Sequence, residues 1–224
     1  MILGLVSAVW AGEWAPVDGE RLSFAAEWMG IRAGTAVATT RATAAGWSTE
    51  LITRSDPWLE PLYPIDDTVG SHWSFAGSAE YRTRYREGRF QQDQTMRFDP
   101  SGIEVARRQL IDGAWKDWSD RYDPAPGVFD PVAAIFQLRG HLEAGTFRVF
   151  SGKRVVPVVC VDEGVEVLDG AAAHRIDLQT QEEGVLKDKI IAWFAEDATR
   201  APLRAVVYTR AGPVSLLLTG RAVR

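Results

Sequence analysis

From Glu20 to the C-terminus, side-chain polarity alternates with a period of two, and only one stretch breaks into a helical period. Successive side chains of a strand point to opposite faces, so this alternation reads as half-buried β-strands in series. In "AEYRTRYREG", Tyr81, Thr83 and Tyr85 share one face while Arg82, Arg84 and Arg86 share the other. "RFQQDQTMRFD" follows it, then "IEVARRQL" and "AWKDWSD". Turn chemistry separates the strands: Glu87-Gly88, Asp99-Pro100-Ser101-Gly102 and the hairpin dipeptide Asp112-Gly113. Past residue 145 the strands resume, with turns expected at Ser151-Gly152, Asp162-Glu163-Gly164, Asp169-Gly170 and Gly212-Pro213. Pro157, inside an apolar run, predicts an edge or a bulge there.

The single helical period lies at 130–142. Asp130 can cap, Pro131 suits the first helical position, and Val132, Ile135, Phe136 and Leu142 recur at helical spacing. About a dozen meandering strands cannot stay flat; they twist and curl around something. The expected architecture is all-β: a strongly curved antiparallel sheet, or open half-barrel, wrapping one helix near 130–142. Residues 13–224 read as one such domain, without a repeat or a composition break. In the opening ribbon "GERLSFAAEWMGIRAGTA", Leu22, Phe24 and Trp28 are expected on the concave side, with Gly30 and Gly34 flanking the turn.

At 224 residues the chain is long enough to bury a core without staples. A net charge of −5 lacks the basic field of a nucleic-acid binder. The one cysteine, Cys160, sits in the apolar run "VVPVVCV" and reads as a buried, inert thiol. Residues 1–12, "MILGLVSAVWAG", carry an apolar run with the length of a signal-peptide core and a small-residue cleavage site, although no basic residue precedes it. They are read as a clipped signal peptide, or else as an N-terminal apolar segment. The run is too short to span a bilayer, and no later segment is long and apolar enough.

Catalytic signatures are missing: no phosphate-binding glycine loop, no His-Glu-x-x-His, no Gly-x-Ser-x-Gly elbow. No catalytic residue, cofactor or metal is expected. The three histidines, His72, His141 and His174, fall on separate elements. Asp66 and Asp67 near His72 form the one acid–base constellation, and without a nucleophile they read more simply as a turn pair beside a strand histidine. The row Arg82, Arg84 and Arg86, joined by Arg107 and Arg108 from a neighbouring strand, is a basic stripe: either a site for headgroups or phosphate, or a solvated outer face. Nine tryptophans supply either core or the lining of a greasy cleft. The residues expected to line such a cleft are Phe24, Trp28, Trp73, Tyr81, Tyr85, Trp115 and Trp193, with Trp58 and Trp118 as further aromatics.

Three stretches together resemble a known family: residues 19–36; "YREGRFQQDQTMRFD" (85–99), followed by the Asp-Pro helix with its "FQLR"; and "AWFAEDATRAPLRAVVYTRAGPVSLLL" (192–218). In order and spacing the chain is similar to the bacterial domain-of-unknown-function family 3108, from about Glu20 onward. It departs from the pattern in lacking a basic leader region and in carrying Ala195, where a hydroxyl residue is expected before Glu196-Asp197. The resemblance implies an exported envelope protein without established activity, and a curved β architecture similar to the half-barrel lipoprotein carriers of the periplasm. It carries over no catalytic residues. The functional expectation is a periplasmic or envelope protein binding an amphiphilic or lipidic ligand in the sheet–helix cleft. The alternatives are a structural protein holding an envelope partner by a sheet face or edge, and an enzyme acting on cell-wall polysaccharide.

Overall fold

The computed structural model describes residues 14–182, 185–209 and 212–224; the apolar run at 1–12 lies outside the described residues. Strand β1 (Glu20–Trp28) turns into β2 (Ile31–Thr43) through Met29 and Gly30, both at positive φ (51° and 80°). β3 (Gly46–Ser55), β4 (Asp66–Ser74), β5 (Gly77–Glu87), β6 (Phe90–Asp99), β7 (Gly102–Ile111) and β8 (Ala114–Tyr122) follow, each antiparallel to the one before. The chain then crosses over through β9 (Val128–Phe129) and helix α1 (Pro131–Gly140) to β10 (Gly145–Phe150), which is parallel to β9. A second meander, β11 (Val155–Leu168), β12 (Ala171–Glu182), β13 (Val185–Ala195), β14 (Pro202–Thr209) and β15 (Gly212–Val223), closes onto β1. The product is one fifteen-stranded open sheet with β8 and β9 at its edges and β1 in the middle.

The sheet curls until its two ends meet through side chains without joining their hydrogen-bond ladders. Phe150 of β10 stacks edge-on against Phe98 of β6 and Tyr122 of β8, with ring centroids 6.0 and 5.1 Å apart. The β10–β11 turn comes so close to β6 that a Cβ on Gly152 would stand 2.9 Å from Met96 Cε and 3.0 Å from Gln94 Nε2.

Helix α1 lies on the concave side and is fastened at both ends. Asp130 caps it, accepting from the backbone amides of Val132 (2.8 Å) and Ala133 (3.0 Å) through one carboxylate oxygen. The other oxygen accepts from the hydroxyls of Ser71 and Ser78, both at 2.6 Å, which ties the cap to β4 and β5. At the other end Arg139, 1% exposed, donates from Nη1 and Nη2 to Glu20 at 2.7 and 3.1 Å and stacks on Trp14. Between these anchors Phe136 packs on Trp73 at 4.8 Å. One core cluster joins the helix to β4–β7 and another, through Leu138 and Leu142, to Cys160, Ile176 and Phe194. The helix is therefore a fixed plug at one end of the curl.

Some local expectations are corrected. The helix is two residues shorter at its C-terminus and one at its N-terminus than 130–142, because Asp130 acts as cap and His141 as C-cap. Asp162-Glu163-Gly164 is a bulge inside one long strand, since the pairing with β12 shifts there, so two expected strands merge into β11. Gly34 lies within β2 rather than at the turn: a Cβ there would meet the Arg54 carbonyl oxygen at 2.3 Å. Pro157 lies near the start of β11, where the strand pairs with β10 alone (Pro157 opposite Arg148) and the β12 pairing begins one residue later, at Val158.

Candidate functional site

Trp73 faces the helix, so cross-strand register identifies the other residues of the concave face. On β15, β1, β2 and β3 this face carries Leu216, Leu218, Leu22, Phe24, Ala36, Ala38 and Leu51. On β11–β14 it continues through Val158, Ile190 and Val207. Leu22, Phe24 and Ala36 are buried, whereas Leu51, Leu216, Leu218, Ile190 and Val158 are only half-buried. Helix α1 covers one end of the concave wall and leaves this apolar stretch partly uncovered. On β5–β8 the same face turns polar: one row runs Thr83, Gln94, Arg107, Trp118 and the next Tyr85, Gln92, Gln109, Lys116. One side of the trough is greasy and the opposite side carries hydrogen-bonding groups.

The end away from the helix has an apolar rim. Met29 and Leu62 are 60% and 77% exposed, and Trp28, Ile31, Trp58, Tyr63, Phe90 and Tyr208 are exposed with them. Their turns touch in sequence. The Met29 amide donates to the Pro213 carbonyl at 3.0 Å, the Trp58 indole donates to the Arg32 carbonyl at 3.0 Å, and the Gly88 amide donates to the Pro64 carbonyl at 2.8 Å. Isolated exposed hydrophobics are ordinary; these eight all lie on turns and strand ends at the same end of the sheet.

The residues expected to line a cleft divide among three places. Phe24, Trp73, Tyr81 and Tyr85 lie on the concave face. Trp73 and Tyr81 are packed under the helix, and the Trp73 indole donates to Thr49 Oγ1 at 3.1 Å. Trp28 is on the rim. Trp115 and Trp193 lie on the convex face: Trp115 between the guanidinium groups of Arg86 and Arg108 (5.4 and 5.0 Å), Trp193 between Arg175 and Arg204 while donating to Glu166. Alternation told which residues share a face but not which face of β8 and β13 is concave, because both faces carry aromatics.

Apart from Arg107, the basic stripe lies on the convex side, and each of those members has a carboxylate. Arg82 pairs with Glu80 at 2.7 Å, Arg84 with Asp66 at 3.3 Å and Arg86 with Asp93 at 2.7 Å. Arg108 shares Asp93, but Arg107 points to the opposite face with Ile103 and Val105. The alternation Ile103, Val105, Arg107, Gln109 carried that distinction in the sequence. His72 is exposed on the convex face while Asp67 is buried on the concave one, so they form no acid–base pair. Asp67 instead accepts from the Arg86 amide at 2.7 Å and shares a hydrogen bond with Glu87. Burial raises both carboxyls above their ordinary values, and a negative neighbour adds to each: Asp67 at Glu87 and Asp66 at Asp67. Tyr63 donates to Glu87 at 3.4 Å. Cys160 is 4% exposed and burial pushes its thiol up to about 12, which leaves it inert. A cleft of about 320 Å³ at the plugged end, between the β4–β5 and β6–β7 turns and residues 124–128, is lined by Phe98, Pro100, Ile103 and Val128. Among the described residues no group of three or more His, Cys, Asp and Glu is placed to hold a metal ion, and no helix is long and apolar enough to cross a membrane.

A family model described as "Protein of unknown function (DUF3108)" matches residues 23–219. No curated protein matches the sequence. Among solved structures the chain is similar to the β-barrel-like protein of domain of unknown function DUF1849 from Brucella abortus. The TM-score is 0.64 at 12% identity, over 96% of this chain and 100% of that one. That likeness is one of fold. A second match, to the Mycobacterium tuberculosis lipoprotein LppX, has a TM-score of 0.28 at 12% identity over 90% and 85% of the two chains.

Proposed function

We propose that this chain, which belongs to the DUF3108 family of proteins of unknown function, is a cell-envelope protein that holds the acyl part of an amphiphile against the concave face of its sheet. One observation carries the reading: Leu51 of β3, Val158 of β11, Ile190 of β13 and Leu216 and Leu218 of β15 face the concavity yet remain partly exposed, because α1 plugs only the opposite end. Apolar area left in water costs about 25 cal/mol per Å², and an acyl chain laid along these strands removes that cost on both partners. The exposed rim gives such a chain an apolar path from a membrane or micelle to the trough. Placement in the periplasm or envelope belongs to the same proposal, since an amphiphile-holding protein works where lipids must cross water.

Organic extraction of the purified protein followed by mass spectrometry tests the reading. A stoichiometric co-purifying amphiphile, lost in a Leu51→Glu, Leu216→Glu double variant that stays folded by circular dichroism, is the expected result. Absence of any extractable amphiphile, together with no uptake of added oleate, overturns it.

A further inference from the structure

The polar half of the trough contains groups that the fold leaves unused. Of the arginines on β5–β7, Arg82, Arg84, Arg86, Arg97 and Arg108 each meet a carboxylate on the convex side. Arg107 faces inward and meets none among the described residues; its guanidinium lies 5.3 Å from the Trp118 ring, and its Nε is buried without an acceptor. In the same cross-strand row stands Thr83, 5% exposed, whose Oγ1 also has no hydrogen-bond partner. Gln94 sits between them, opposite Thr83 on one side and Arg107 on the other, its Oε1 accepting from Gln92 Nε2 at 3.3 Å. Adjacent strands are about 4.8 Å apart, so hydroxyl, amide and guanidinium fall within a span of about 10 Å. A buried donor without an acceptor costs free energy, and guanidinium is the side chain best shaped for carboxylate or phosphate oxygens. The carboxylates on this face are engaged or offset: Asp67 is held by the Arg86 amide and Glu87, and Asp120 stands one row toward the helix, opposite Val105, without forming an ion pair to Arg107. Lys116, exposed one row toward the rim, adds a second positive charge.

We infer that Thr83, Gln94 and Arg107 form the headgroup site of the trough and that its ligand is an anionic amphiphile, one whose carboxylate or phosphate accepts from Arg107 while its chain lies on the leucine wall. This inference rests on the amphiphile reading above. Trp118, whose ring lies over the Arg107 guanidinium at the edge strand, gives an optical signal for its occupancy.

The test compares four probes on the whole protein by titration of tryptophan fluorescence: oleate, oleoyl lysophosphatidate, the neutral monoolein, and inorganic phosphate. The expected result is that oleate or lysophosphatidate binds about tenfold or more tightly than monoolein, the stronger of the two telling carboxylate from phosphate. Arg107→Gln then abolishes the preference without changing monoolein affinity, and Arg107→Lys restores part of it. Equal affinity for charged and neutral chains, or an unchanged preference in Arg107→Gln, overturns the headgroup site and leaves the trough standing. Failure of all three chains overturns the trough and with it the amphiphile as source. Saturable binding of phosphate in that case shows a free-anion site instead, which contradicts the inference as stated.

Discussion

Glu20 shows how much a single side chain contributes to this fold. It is 1% exposed and receives Arg139 from the helix and Arg221 from β15, the latter at 2.7 Å. Burial alone would raise its carboxyl, but hydrogen bonds and charge from the two arginines hold it below its ordinary value. Arg139 also donates to the Thr199 and Arg200 carbonyls, so one ion cluster joins β1, α1, β15 and the β13–β14 turn. Removing one partner of such a cluster strands a buried charge. Glu20→Ala is expected to cost about 3–5 kcal/mol in urea denaturation, and Arg221→Ala less, because Arg221 reaches solvent. The Asp67–Glu87 pair acts with opposite sign. Both carboxyls titrate above their ordinary range, so the folded state binds the shared proton more tightly than the unfolded chain does. Their contribution is therefore full below the ordinary carboxylate pKa of about 4 and is lost as pH rises through the raised value. Glu87→Gln, neutral at every pH, is expected to flatten the fall in stability above that point; an unaltered pH profile would exclude the pair as its source.

At the scale of elements, backbone approach sets the tolerances. Gly34 is in contact with the β3 backbone, and a methyl there would meet the Arg54 carbonyl at 2.3 Å, whereas a methyl at Gly70 in β4 meets nothing within 4 Å. Gly34→Ala is expected to destabilise by about 1–3 kcal/mol and Gly70→Ala to be neutral or slightly stabilising, since glycine weakens a strand interior; a thermal melt of the two variants checks the contrast. Local chemistry of this kind was largely readable in the sequence. Asp112-Gly113 and Asp169-Gly170 adopt positive φ as their hairpins require, and Asp130-Pro131 starts the helix. Contacts made at long range were not readable. Glu20 and Arg139 are 119 residues apart, and nothing near either marks the other. Strand periodicity assigned Trp115 and Trp193 to an aromatic set, but only the curl decides that they lie on the convex side beneath arginines. The free edge of β8 carries Lys116, Asp117, Asp120 and Arg121, charges of the sort that discourage pairing with another strand. A partner held by edge pairing therefore has less support than a ligand held by the concave face.

At the scale of the molecule, the topology explains why a trough exists. The described strands begin with β1 in the centre of the sheet, build one arm outward to β8, cross through the helix and build the second arm back to β1. Both arms curl toward the same side, and the crossover helix is the one helix among the described residues that packs into the concavity. Ten helical residues span about 15 Å, too short to line fifteen strands along their whole length. Asp130 and Arg139 fix that helix at one end, so the opposite end keeps its apolar wall partly exposed. Paramagnetic broadening by doxyl-labelled stearate, read on methyl resonances, tests this arrangement most directly. Broadening of Leu51, Leu216 and Leu218, with Val37 and Ile52, which pair on the opposite, convex face, left sharp, is the expected result. Broadening spread over both faces, or confined to the convex one, would contradict a trough that holds an acyl chain.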